Sequence, residues 1–148
     1  MRFVRRWHFV LLVAVFAAAC QPTPRDLSMK LLTEDMELRV LPDPVPPRAR
    51  EPVRYKVVVR DRETGEPIET GVGQIFATSE SQVDSYDPLV KGPELGTYYA
   101  TMHFITSGQW AVAIRFARDS TKKLERMDWM QEVFPARGEG KSSASKSN

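Results

Sequence analysis

The residues able to do chemistry in this chain are few, and their spacing decides what they can do. There are two histidines, His8 and His103, and one cysteine, Cys20. A Ser-His-Asp or Cys-His arrangement needs a nucleophile beside its histidine, and no serine here is framed by the glycines of a nucleophile elbow. The carboxylate pairs Glu34/Asp35 and Asp84/Asp87 fall in loop-like polar segments, where solvation accounts for them. Gly71-Val-Gly73 is a short glycine fragment with no helix pattern after it, so it cannot seat a dinucleotide phosphate. Met102 and His103 are the one soft-ligand pair, suited by type to Cu(I). Adjacent strand residues point to opposite faces, however, and such a pair cannot easily share one ion. Met127 and Met130 offer further thioethers, although methionine is chiefly a filler of cores. The expectation is a protein that binds and does not catalyse, with no cofactor and no metal, Met102 and His103 being weak candidates.

Cys20 has a different context. Arg2, Arg5 and Arg6 precede an unbroken apolar run of 11 residues, Phe9 to Ala19, and the run ends at Ala17-Ala18-Ala19-Cys20. A transmembrane helix needs about 20 apolar residues, so this run is too short to span and has the length of a secretory signal core. The small residues before the cysteine resemble the lipobox of bacterial lipoproteins, with Ala17 where that pattern prefers leucine. The resemblance implies cleavage before Cys20, acylation of that cysteine, and an anchor in membrane lipid on the periplasmic or cell-surface side. Gln21 after the cysteine favours the outer membrane where the host has one. His8 would leave with the signal, as would three arginines and no acids. The remaining chain then carries 18 basic and 19 acidic residues, a net charge of −1. The basic excess belongs to the leader, and nucleic acid is not an expected partner.

The elements that must position these residues follow from composition and period. At 148 residues, with 42% hydrophobic and 27% charged residues, the chain holds about one globular domain. Seven of the eleven prolines lie between Gln21 and Pro52, where they favour extended chain. Within that stretch Met36 to Leu41 alternates as a first edge strand, while Leu27 to Met36 reads equally as short helix or as extended chain. Val53, Tyr55, Val57 and Val59 alternate with polar or outward residues, the period-2 pattern of a half-buried strand. Asp61 to Gly65 is a turn, and Val72 to Ser79 is a second β-prone run. Tyr98, Ala100, Met102 and Phe104 share one face of the next strand. Trp110, Val112, Ile114 and Phe116 share a face of another, and Met127 to Phe134 forms the last. Strands about every ten residues, with no convincing amphipathic helix, predict an all-β antiparallel sandwich of about seven strands. Its expected layout is a leader over 1–19, a tether over 20–37, the sandwich over 38–137 and a disordered tail over 138–148.

Three segments resemble the FixH/YtkA-like periplasmic immunoglobulin-like domains, similar in shape to CopC-like copper chaperones. They are Tyr55-Lys-Val-Val-Val-Arg-Asp61 after the proline-rich stretch, the turn Asp61-Arg-Glu-Thr-Gly-Glu-Pro-Ile68, and the paired strands Gly96-Thr-Tyr-Tyr-Ala and Gly108-Gln-Trp-Ala-Val-Ala-Ile114. The resemblance covers roughly residues 38–135 and implies an immunoglobulin-like fold with Tyr55, Tyr98 and Trp110 as structural core. Tyr98 and Trp110 should start adjacent strands, and Gly96 and Gly108 should supply positive φ. It also implies an accessory role beside a membrane protein complex, with copper handling as the alternative. The CopC-like copper site uses a free N-terminal amine, which an acylated Cys20 would lack. The longest irregular segment, Ser79 to Gly96, carries Tyr86 and Leu89. These two are either the centre of a small interface or a cover folded back on the sandwich.

Overall fold

The computed structural model describes residues 27–82 and 84–138, so Cys20, the leader and residues 139–148 lie outside the described residues. Among the described residues nine strands follow one another: β1 Met29–Leu32, β2 Met36–Asp43, β3 Pro52–Asp61, β4 Val72–Ser79, β5 Asp84–Pro88, β6 Val90–Lys91, β7 Thr97–His103, β8 Gly108–Ala117 and β9 Glu125–Val133. They form a five-stranded sheet in the order β1-β2-β3-β7-β6 and a four-stranded sheet in the order β5-β4-β8-β9. Every pairing between these strands is antiparallel. The chain crosses between sheets after β3, β5 and β7. The expected all-β, immunoglobulin-like sandwich is therefore the fold.

Side-chain alternation produces this arrangement. Val53, Tyr55, Val57 and Val59 of β3 are fully buried and meet Trp110, Val112, Ile114 and Phe116 of β8 in one core, joined by Tyr98, Ala100 and Met102 of β7. Burying a large aliphatic or aromatic side chain contributes about 1.5–3 kcal/mol, so this central layer dominates stability. Tyr98 and Trp110 satisfy their polar tips while buried. The Tyr98 hydroxyl donates to the Ile68 carbonyl at 2.8 Å and accepts from Gly71 N at 2.9 Å, and Trp110 Nε1 donates to the Thr106 carbonyl at 3.1 Å. Gly96 and Gly108 do have positive φ, +62° and +120°.

Several expectations are corrected. Met36–Asp43 is not an edge: β1 pairs outside it, with Met29 opposite Val40 and Leu32 opposite Glu37. The sheet thus begins at Met29, inside the stretch expected to be tether, because Met29 and Leu31 gain burial against the core. Pro42 is tolerated in β2 because β1 reaches only as far as Val40, leaving Pro42 a ladder neighbour on one side alone. Ser79 to Gly96, expected as the longest irregular segment, carries two strands, β5 and β6, one on each sheet, which with β1 raises the strand number above seven. Tyr98 and Trp110 lie on strands consecutive in the chain but in different sheets. Ala113 and Ala117, expected to point outward, are buried as well. Ala113 sits between Phe76 and Asp128 in the register, and those larger neighbours cover it.

Candidate functional site

Met102 is fully buried and His103 is exposed, so the strand period places the two on opposite faces as their adjacency dictates. Among the described residues no group of three or more His, Cys, Asp or Glu side chains is close enough to hold a metal ion. Of the carboxylate pairs, Asp35, Asp84 and Asp87 each hold a structural partner. Asp84 accepts from Thr78 Oγ1 at 2.8 Å. Asp87 accepts from the backbone N–H of Thr101 at 2.6 Å, which ties β5 of one sheet to β7 of the other.

One corner of the sandwich is a charged clasp. Arg118 Nη1 lies 2.7 Å from Asp61 and 3.4 Å from Asp35, so it joins the end of β8 to the end of β3 and the β1–β2 turn. Asp61 Oδ1 also accepts from the backbone N–H groups of Thr64 and Glu63 at 2.8 and 2.9 Å. These bonds, the Thr64 amide first and then the Arg118 guanidinium, lower the Asp61 carboxyl to about 2. An ordinary aspartate titrates near 3.9. The folded-state value is depressed, so the clasp's contribution to stability is complete above that ordinary value and is lost as pH falls through about 2. The stability difference between wild type and Asp61→Asn, read from urea unfolding, should be constant from about pH 5 to 7 and shrink steadily below about pH 4. A difference independent of pH down to about 2 would show that the charge of Asp61 contributes nothing.

The outer face of the four-stranded sheet carries an aromatic and arginine patch. Tyr86 on edge strand β5 is 77% exposed and stands opposite Phe76 of β4 in the register. The guanidinium groups of Arg115 and Arg126 each lie 5.0 Å from the Phe76 ring centre. Gln74, Thr78 and Asp84 complete a shallow cleft of about 250 Å³ beside Tyr86. Leu89, expected either at the interface or as cover, takes the covering place. It is only 7% exposed and joins the core, its N–H donating to the Gly73 carbonyl at 2.9 Å. The chain crosses from one sheet to the other at this point, and the crossing turns Leu89 inward while Tyr86 stays out.

A second, apolar feature opens between β1–β2 of one sheet and β9 of the other. It is a groove of about 350 Å³ lined by Met29, Val40 and Pro42, by the segment Val45-Pro46-Pro47, and by Trp129, Met130 and Phe134. The proline segment is pinned there by two backbone hydrogen bonds, from Phe134 N to Pro47 O at 2.9 Å and from Ala49 N to Phe134 O at 2.8 Å. Tyr55 also lines the groove, its ring 6.4 Å from that of Trp129. The Tyr55 hydroxyl and Trp129 Nε1 are both buried without a hydrogen-bond partner. Burial pushes the Tyr55 hydroxyl well above the ordinary tyrosine value, so it keeps its proton and stays a neutral hydroxyl. Tyr55 was expected as structural core, and it is buried there while also lining a groove. Trp129 and the proline wall were not singled out in the sequence. The available signal was the period-2 row Met127, Trp129, Gln131 and Val133, whose polar third member marks where the inner face of β9 meets a cavity.

No protein-family model matches the chain, and no curated protein matches it. Among solved structures, a DUF4426 family protein from Pseudomonas aeruginosa PAO1 superposes with a TM-score of 0.57 at 10% sequence identity, over 74% of this chain and 96% of that one. At that identity the likeness is one of fold: the chain is similar in architecture to a bacterial β-rich domain.

Proposed function

We propose that this chain is a lipid-anchored, non-catalytic binding module of FixH/YtkA-like character. It would be held through acylated Cys20 on the periplasmic or outer face of a bacterial membrane, where it docks to a membrane protein complex. The observation that carries the docking reading is the exposed Tyr86 beside Phe76, Arg115 and Arg126. Tyrosine and arginine are the residue types enriched where interfaces concentrate their energy, and an exposed aromatic on an edge strand lies beside backbone groups open to a partner. A membrane anchor would raise the local concentration of that patch beside any partner in the same bilayer.

The test joins anchor and patch. Wild-type protein should fractionate with membranes and carry the added mass of acyl chains, whereas Cys20→Ser should carry none. Extraction in mild detergent should co-purify a membrane protein with the wild type. Tyr86→Ala should weaken that association by about 2 kcal/mol, some thirtyfold in Kd, with its melting temperature unchanged. Retained association in Tyr86→Ala would move the docking surface elsewhere, and unmodified soluble wild-type protein would overturn the anchor.

A further inference from the structure

The point at which the fold begins limits where the groove beside β9 can lie. A tether over residues 20–37, as expected from sequence, would reach about 60 Å when fully extended. The first sheet starts instead at Met29, and Leu27 already lines the groove. Leu27 stands seven residues after Cys20. At about 3.6 Å per residue the chain between them spans at most about 25 Å. An acyl anchor at Cys20, the reading proposed above on which this inference rests, would therefore hold the groove end of the sandwich beside the bilayer. Apolar side chains stand out from the fold at that end. Leu27, Val45, Pro46, Met130 and Phe134 are all exposed, and all line the one groove. A contiguous apolar surface of this kind marks a place that something covers.

The chemistry of the surface says how it would meet lipid. Pro42, Pro46 and Pro47 have no N–H, so bringing this wall out of bulk water strands few backbone donors. The same missing donors deny an added peptide strand a ladder there. Glu132 is the one charged residue among those lining the groove, so the contact draws on acyl chains and not on anionic headgroups. β9 ends the four-stranded sheet, and its outer backbone groups and Glu132 need water. Only side chains can therefore enter, while the strand stays at headgroup level. We propose that Leu27, Val45, Met130 and Phe134 form a membrane-contact face, inserted into the outer acyl region of the bilayer that holds Cys20. This contact fixes how the sandwich stands. β5 lies at the opposite edge of the same sheet, three strand spacings or about 15 Å from β9. The Tyr86 patch is then held clear of the lipid, where the extramembrane part of a membrane protein can reach it.

All nine strands and the whole core of the described residues lie within residues 29–133, so residues 20–148 carry the complete sandwich. This chain would be coupled through the Cys20 thiol to a maleimide-bearing phospholipid in neutral phosphatidylcholine vesicles. The synthetic anchor makes the result independent of acylation in the cell, which the mass of the wild-type protein tests separately. Trp129 is half-buried at the groove while Trp110 is fully buried, so Trp129 serves as the reporter. Phosphatidylcholine brominated in the upper acyl chain should quench its emission relative to unbrominated lipid, and Trp129→Phe should remove that loss. Leu27 and Met130 are 60% and 64% exposed, so Leu27→Ser/Met130→Ser should abolish the quenching with melting temperature unchanged. Val45→Ser, also at an exposed position, should reduce it and keeps the test open if the double variant fails to fold. Leu95→Ser, exposed but off the groove, should leave it intact. With its thiol capped and no anchor, the double variant should partition to the same vesicles about tenfold less than wild type. Unquenched wild-type emission, or quenching retained in the folded double variant, would overturn the contact. A wild-type dimer in solution whose emission stays unquenched on vesicles would assign the face to a second copy and overturn it equally. Quenching on the synthetic anchor with no acyl mass on the cellular protein would overturn the anchor and leave the contact standing.

Discussion

Trp110→Ala should cost about 3–5 kcal/mol, a large part of the 5–15 kcal/mol that holds a domain of this size together. Trp110 is fully buried, and its ring meets Phe104 edge-on at 5.1 Å and 70°. Truncation removes that contact and leaves a void between sheets that rigid strands cannot close. It also deprives the Thr106 carbonyl of its donor, a lesser loss because the hydrogen bond is only partly buried. The neighbouring Ala111 is exposed, so Ala111→Ser should stay within about 0.5 kcal/mol. Urea midpoints of the two variants provide the measurement. Loss of folding in Ala111→Ser with a stable Trp110→Ala would mean that β8 is paired one residue out of register, which exchanges every inward and outward position on the strand.

How much of this was legible in the sequence depends on whether local pattern or long-range pairing decided the outcome. The inward rows of β3, β7 and β8 were readable because a strand with one buried face must alternate, and Tyr55, Tyr98 and Trp110 fall on those rows. The turn at Asp61 to Gly65 was readable because aspartate bonds its own downstream amides. β1 was not readable as a strand. It has four residues, and only Met29 and Leu31 pack on the core, a pattern that fits one turn of helix equally well until β2 offers it a ladder. The burial of Leu89 and the exposure of Tyr86 depend on where the chain crosses between sheets, which no local period encodes.

The candidate surfaces divide in the same way. Tyr86 stood out in sequence as an aromatic residue among polar neighbours. Its partners Phe76, Arg115 and Arg126 come from three other places in the chain and meet only through the register of β4, β8 and β9. The groove was less visible still. Its proline wall reads in sequence only as extended, proline-rich chain, and it becomes a wall only because Pro47 and Ala49 bond to Phe134, 85 or more positions later in the chain. Tyr55 could be assigned to the core from its strand, but its contact with the Trp129 ring depends on β9 packing across the sandwich.

Gly96→Ala should be among the most damaging small substitutions in the chain, through backbone and not through lost burial. Gly96 precedes β7 with φ of +62°, a conformation that costs a non-glycine residue about 1–2 kcal/mol by itself. A Cβ added there would also stand 2.6 Å from the Val59 carbonyl oxygen and 2.9 Å from Pro67 Cβ, both parts of rigid elements that cannot swing aside. Val59 N already donates to the Gly96 carbonyl at 2.7 Å, so moving Gly96 away breaks the bond that holds the start of β7 to β3. Gly65 provides the comparison: its φ is +76°, and nothing lies within 4 Å of an added Cβ. Gly65→Ala should therefore show the conformational cost alone, about 1–2 kcal/mol, and Gly96→Ala that cost plus the clash, about 3 kcal/mol or more. Denaturant unfolding of the two variants separates these contributions. Equal losses would show that the approach of Gly96 to Val59 and Pro67 relaxes freely, and that the β3–β7 junction is held by the core residues around it instead.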